Sequence, residues 1–249
     1  MNDPSKMPWQ ENSPMPAPKK LPIIVFDVNE TLLDITTLNP LFERVFADSA
    51  VLREWFAQLV LYSQTMTLSG LYCPFGELGA GALRMLASIH GKTICTADID
   101  ELKQRMSTMP AHADVVPALK LLRDAGFRLV TLTNSARSPS PTALERAGLS
   151  EFFEHSFSVE SVKKFKPAPQ TYQLVADQMK VSPRDLVMVA CHLWDTIGAQ
   201  AAGCKGALLT RPCNALLPAT GVPVPDYVAG QLTELAQLII ADARTTETH

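Results

Sequence analysis

This 249-residue sequence predicts an α/β fold: a doubly wound parallel sheet with a helical cap inserted after its first strand. Three observations predict it. Short apolar runs without polar alternation, such as LPIIVFDV (21–28) and DLVMVA (185–190), are the mark of strands buried on both faces. After Pro110 such runs alternate with helical patterns, which implies parallel strands and right-handed crossovers. Between the first run and that alternation, residues 39–109 carry helical patterns and no clear strand.

The first strand, 21–28, stops at Asp27 and is followed by polar Asn29-Glu30-Thr31. In open α/β sheets ligands sit beyond the carboxyl ends of the strands, so Asp27 lies where chemistry is usually done. In the cap, 50–65 has apolar groups at 51, 52, 55, 56, 59 and 62, a helical period, and Trp55, Phe56 and Tyr62 are expected in the cap core. Residues 78–89 and 97–109 read as two more helices, and the charges at 53/54 and 101/103/105 as solvated helix faces. Asp114 is expected to cap a helix over 115–125 that Gly126 stops. Then come a strand at 127–133 ending in Thr133-Asn134-Ser135, a helix at about 140–147, and a short strand at 155–160. Lys166-Pro167 precedes a helix on which Tyr172, Val175, Ala176 and Met179 share a face. Strand 185–190 ends at Cys191-His192-Leu193-Trp194-Asp195, a helix covers 195–202, and 205–210 is the last core strand. The core is thus expected over 21–38 and 110–240. A Pro-rich disordered tail is expected at 1–20, where prolines interrupt helix and strand alike, and a C-terminal tail at 241–249.

Composition excludes several functions. A net charge of −3 offers no basic footprint for nucleic acid or an acidic membrane surface. No run approaches the ~18 apolar residues of a membrane span. Five scattered cysteines (73, 95, 191, 204, 213), with no C-x-x-C pair, suit a reducing cytoplasm better than a disulfide framework.

A parallel sheet brings Asp27, Thr133-Asn134, Lys166 and Asp195 to one edge. Together they make a consistent kit: a carboxylate that attacks, an ammonium that screens charge, a hydroxyl and an amide that bind an oxyanion or carboxylate, and a second carboxylate that orients water or a metal. His192, beside Asp195, has the ordinary pKa of about 6.5 that suits a base near neutral pH, and is read as activating water. Cys191 is read as a small buried residue rather than a nucleophile.

DVNETLLD (27–34), TLTN (131–134), KP (166–167) and the Trp-Asp of VACHLWDTIGA (189–199) resemble, in order, the four motifs of the haloacid dehalogenase superfamily. FKPAPQTY (165–172) and WDTIGA (194–199) look most like the type II L-2-haloacid dehalogenases. The resemblance, over roughly 21–240, implies that Asp27 displaces halide from a small 2-haloacid and forms an ester that water hydrolyses. It implies that Thr31 supports the nucleophile, that Lys166 keeps Asp27 ionised, and that Tyr172 and Asp195 position the water. Thr133 and Asn134 would hold substrate, with Asn29 and Phe56 at two further substrate positions. No metal or other cofactor is implied, and a cytoplasmic homodimer acting on a small molecule is in keeping with the branch.

The match has gaps. Asn29 stands where the dehalogenases carry Tyr, Phe56 where a cap arginine aligns (Arg53 lies one turn earlier), Ala190 where they have Ser, and His192 where they have Asn. A Mg²⁺-dependent phosphatase of the same superfamily is the second reading. Its acid would be Asn29, which holds no acidic proton, and its acidic metal ligand would be Cys191, a poor partner for a hard cation. A non-catalytic relative that binds a metabolite or partner is the third.

Overall fold

The computed structural model describes residues 20–137 and 141–247. Apart from Lys20, the segment read as a Pro-rich tail lies outside the described residues. The six parallel strands are β1 (Ile23–Phe26), β2 (Leu129–Thr133), β3 (His155–Ser158), β4 (Leu186–Ala190), β5 (Lys205–Leu209) and β6 (Tyr227–Ala229), in the order β3-β2-β1-β4-β5-β6. The expected five are present. The sixth, β6, has three residues and too short a pattern to show in sequence. β1 and β4 are buried at every position, because helices cover both faces of the sheet.

Strand order places the site. From β1 the chain builds outward to β2 and β3, then returns across the sheet to β4 on the other side of β1. The topological switch point therefore falls between β1 and β4, which pair in register from Ile23 with Leu186 to Phe26 with Val189. Asp27 extends that ladder by one bond, its N–H donating to Val189 O at 2.9 Å. The chain then turns sharply: the N–H groups of Leu32 and Leu33 both donate to Val28 O, and Glu30 takes a left-handed φ of 65°.

The inserted block comprises α1 (Asn39–Phe46), α2 (Val51–Leu68), α3 (Phe75–Ile89) and α4 (Thr96–Ser107). The last three are the expected helices with shifted ends, and α1 was not foreseen. Its core gathers Phe42, Trp55, Leu59, Leu83 and Leu86, all buried. Each such side chain contributes roughly 1.5–3 kcal/mol by leaving water. Trp55 is tied by its Nε1, which donates to Gly79 O at 2.9 Å. Tyr62 is not in this core: it is 42% exposed, on the solvent side of α2. Nor are the charged positions simply solvated. Arg53 pairs with Glu30, and Arg105 pairs with Glu101 while donating to Thr37 O.

On the core, α5 (Val115–Asp124) packs against α9 (Leu232–Glu247), and α8 (Leu193–Ala201) lies on β4 and β5 with α7 (Pro169–Met179) beside it. Four expectations need correction. The segment 241–247 is the end of α9 rather than a tail, because Ile239 and its buried neighbours hold that helix against the core. The helix expected over 140–147 is one turn, α6 (Ala143–Arg146), started by a Thr142/Glu145 capping box. Asp114 does not cap α5 with its side chain. It binds Arg211 through both oxygens and caps α9 instead, Leu232 N–H donating to it at 2.8 Å. The helix after β4 begins at Leu193, with His192 as its N-cap, so Asp195 lies inside the first turn.

Candidate active site

The apolar strands deliver polar residues to the switch point, and these residues neutralise one another there. Asp27, 5% exposed, has each oxygen engaged. Oδ1 accepts from the Lys166 ammonium at 2.7 Å, and Oδ2 from the Thr31 hydroxyl at 2.7 Å. The Thr31 oxygen in turn accepts from Cys191 N–H at 3.0 Å, which fixes the hydroxyl's direction.

Lys166 has no exposed surface. Its ammonium makes three bonds, to Asp27, to Asp195 Oδ2 at 2.6 Å and to Leu132 O at 3.0 Å, which uses all its donors. Burial alone would strip its proton, but Asp195 and Asp27 outweigh that and raise its pKa. Asp195 is equally buried: Oδ2 takes Lys166, and Oδ1 takes the Tyr172 hydroxyl at 2.7 Å. Burial, opposed by Lys166, leaves its carboxyl above the usual range. Asn134 fixes the lysine from behind, its Oδ1 accepting from Lys166 N–H at 3.0 Å.

A second group of residues adjoins the first. His192 Nδ1 lies 3.3 Å from Asp27 Oδ2 but off the line of a hydrogen bond, so this buried nitrogen has no hydrogen-bond partner. Nε2 is 2.9 Å from Glu30 Oε2. The ring is sandwiched between Phe56 and Trp194, each stacked at 5.2 Å between centroids. Glu30 is itself held by Arg53 and by Asn214 Nδ2, the latter at 2.9 Å. Burial would lower the imidazole pKa, yet the Cys191 sulfur and the carboxylates of Asp27 and Glu30 drive it well above its ordinary value. For Asp27, burial is outweighed by Lys166 and His192, which hold the carboxyl far below the usual range. Three carboxylates (Asp27, Glu30, Asp195) thus face three cations (Lys166, His192, Arg53).

The structure brings together Asp27, Thr31, Lys166, Tyr172, His192 and Asp195, with Phe56 reaching the cluster through the imidazole. Thr133 is not bonded to this cluster: it lines a neighbouring cavity with Asn29 and Ser135, and its oxygen accepts from Ser135 N–H at 3.1 Å, so the hydrogen of its own hydroxyl is left to donate. The Asn134 amide oxygen is committed to the lysine backbone. Asn29 donates to Ser135 Oγ at 3.2 Å and lines a 370 Å³ cleft between cap and core, with Trp55, Leu59, Phe75, Leu102 and Met106. Sequence reasoning missed Glu30, Arg211 and Asn214. Glu30 could have been flagged as an acid three residues beyond Asp27 in a polar turn. Arg211, which binds Thr31 O and Asp114, carries no local pattern.

The residues do not fit a Mg²⁺ ion, which needs several hard oxygens in near-octahedral array. Asp195 is fully buried behind the Lys166 ammonium and the Tyr172 hydroxyl, Asn29 is turned to Ser135, and position 191 offers sulfur in place of a hard oxygen.

Residues 21–203 match the family of haloacid dehalogenase-like hydrolases. An (S)-2-haloacid dehalogenase from Pseudomonas sp. (strain CBS-3) is 30% identical over 189 residues, 75% of this chain and 83% of that one. Another, from Pseudomonas putida, is 29% identical over 183 residues, covering 72% and 81%. Among solved structures, an L-2-haloacid dehalogenase superposes with a TM-score of 0.83 at 25% identity, over 89% of this chain and 99% of that one. The Xanthobacter autotrophicus L-2-haloacid dehalogenase with chloropropionic acid covalently bound gives 0.79 at 23% identity, over 88% and 98%.

Proposed function

Because this chain belongs to the haloacid dehalogenase-like hydrolases, we propose that it releases halide from (S)-2-haloacids through an ester on Asp27, and that His192 and Glu30 activate the water that cleaves the ester. The observation that carries the proposal is the pairing of Asp27 with Lys166 and Thr31 on one side and with the glutamate-bound His192 on the other.

In the first step an Asp27 oxygen attacks C2 of the substrate. The C–O bond forms as the carbon–halogen bond breaks, and the halide leaves with the electron pair. Thr133, which lines a cavity shared with Asn29 and Ser135, offers its hydroxyl as a donor for the substrate carboxylate, and the cleft on the other side of Asn29 gives room for its approach. Attack requires an ionised carboxylate, which the depressed pKa of Asp27 supplies across the working pH range.

Esterification removes the Asp27 charge. The imidazolium then keeps Glu30 as its counter-ion but loses the carboxylate facing Nδ1, so its Nδ1 proton passes to solvent while Nε2–H stays on Glu30. The bare Nδ1 faces the ester and takes a proton from water as the hydroxide adds to the Asp27 carboxyl carbon. Lys166, 2.7 Å from Oδ1, meets the charge that develops on that oxygen. Collapse expels the alkoxide, which takes a proton from His192 to become the 2-hydroxyacid. The remaining carboxyl proton recharges the imidazole. Asp195, with both oxygens engaged, anchors Lys166 and Tyr172 in this scheme rather than gripping the water.

Residues 39–109 act here as the cap over this cluster, contributing Phe56 and Arg53, and 21–38 with 110–247 as the core. A cytoplasmic homodimer that uses no metal in turnover goes with the same reading. Five free cysteines support the compartment, and among the described residues no helix is long and apolar enough to cross a membrane. The test is halide release from (S)- and (R)-2-chloropropionate with chelator present. The expected result is turnover of the (S) form alone, abolished in Asp27→Asn. Turnover of p-nitrophenyl phosphate in Mg²⁺, with no halide released from either enantiomer, would overturn it.

A further inference from the structure

We propose that Asp27, Cys191 and His192 form a site for a borderline-soft divalent cation, Zn²⁺ by its chemistry, and that its occupation switches the enzyme off by taking the nucleophile. The carboxylate oxygen, sulfur and ring nitrogen of these three buried residues lie within 4.8 Å of one another. One edge already has metal dimensions. Zinc bonds of about 2.0–2.1 Å to N and O set a tetrahedral edge of about 3.3 Å, and His192 Nδ1 lies 3.3 Å from Asp27 Oδ2. The remaining edges, none longer than 4.8 Å, need at most about 1.2 Å of contraction to reach Zn–S bonds of about 2.3 Å.

Three further observations point to a ligand there. His192 Nδ1 is buried with no hydrogen-bond partner, though its other nitrogen is firmly bound. That other nitrogen meets a carboxylate, Glu30, at 2.9 Å, the outer-shell arrangement that orients a metal-binding histidine and leaves the opposite lone pair for the ion. Asp27 Oδ2 accepts one bond from Thr31 and keeps a second lone-pair site, while Lys166 occupies Oδ1. The ion would enter by the route that substrate and water must use to reach Asp27.

The donor set separates this site from the Mg²⁺ site of a phosphatase: one sulfur, one nitrogen and one oxygen select zinc over a hard cation. Binding is measured directly, by competition for Zn²⁺ between the full chain and a chromophoric chelator. The expected result is one ion per chain, undisturbed by excess Mg²⁺ and kept when the exposed Cys95 and Cys213 are replaced by Ala. It should be lost in Cys191→Ser and weakened about 10- to 100-fold in Glu30→Gln. On the wild-type chain, Co²⁺ should give a thiolate-to-metal charge-transfer band, which reads the site even if a variant fails to fold. No retained ion, retention unchanged in folded Cys191→Ser, displacement by Mg²⁺, or cobalt bound without that band would each overturn the site. The inhibitory role rests on the dehalogenase reading and has its own readout. Halide release should fall in proportion to zinc bound and return with chelator; full turnover with the ion in place contradicts it. Binding and turnover are scored separately, so failure of one is distinguishable from failure of the other.

Discussion

At the residue scale, Glu30 ties most of the site together. It occupies a left-handed position that a bulky side chain adopts at a cost, on the order of 1–3 kcal/mol for strained backbone. In return it sets His192, binds Arg53 from the cap and holds Asn214 from the loop after β5. Burial would raise its carboxyl pKa, but His192 and then Arg53 lower it, so it stays a counter-ion. Glu30→Gln keeps the shape and removes the charge. The first half-reaction should persist while ester hydrolysis slows by about 10²-fold or more. Rapid-quench mass spectrometry of the intact chain should then show the covalent adduct building up behind a burst of halide. A variant that turns over at the wild-type rate with no adduct would remove Glu30 from the water step. Lys166 was legible because the resemblance names it and because it falls among the polar groups that the strand ends gather; beside Lys163 and Lys164, its own neighbourhood reads as a solvated loop. Glu30 was not, since nothing local says that an exposed-looking turn residue is buried against a histidine 162 positions away.

At the element scale, two close approaches hold the site's walls together. Gly198, on α8, faces the Lys166-Pro167 segment. A Cβ there would lie 2.3 Å from Pro167 Cβ and 2.8 Å from both Pro167 O and the Tyr172 hydroxyl. Gly198→Ala should therefore push α8 away from the segment carrying Lys166 and cost roughly 1–3 kcal/mol as overpacking. Chemical denaturation should show a lower midpoint and halide release should fall with it; an unchanged midpoint with full activity would contradict the packing argument. The second approach is the Asp114–Arg211 pair, which joins the first residue of the α5 segment to the loop after β5 and to the start of α9. Burial would raise the Asp114 carboxyl, but Arg211 and the Leu232 N–H lower it. A depressed folded pKa gives stability that is present above the unfolded value, about 3.9, and is lost as pH falls through the folded value. Asp114→Asn should thus unfold more easily than wild type at neutral pH, with the gap closing below about pH 4. Equal separation of the two denaturation midpoints at every pH would refute this. The element pattern was readable because 3.6-residue and unbroken apolar periods are local. Asp114 was misjudged because its helix-start position is local, whereas its partners, Arg211 and Leu232, lie about a hundred residues on.

At the scale of the whole molecule, the sheet order makes the chemistry possible. Reversal of winding between β1 and β4 puts Asp27 and His192 on neighbouring strand ends, and parallel register brings Thr133 and Lys166 to the same edge. This much followed from alternating apolar runs and four ordered motifs. What did not follow is how charge is shared. The sequence reading left Asp195 to orient water and His192 near its ordinary pKa. In the fold Asp195 has no exposed surface and holds Lys166 and Tyr172, and His192 sits between two carboxylates that raise its pKa. The central claim is that Asp27 becomes covalently bonded to its substrate and is freed by water attacking its own carboxyl carbon. A single turnover with excess enzyme and (S)-2-chloropropionate in ¹⁸O-water tests it most directly. The expected result is ¹⁸O in the Asp27 peptide and none in the first-turnover product. Label in the product alone, with Asp27 unlabelled, would contradict it.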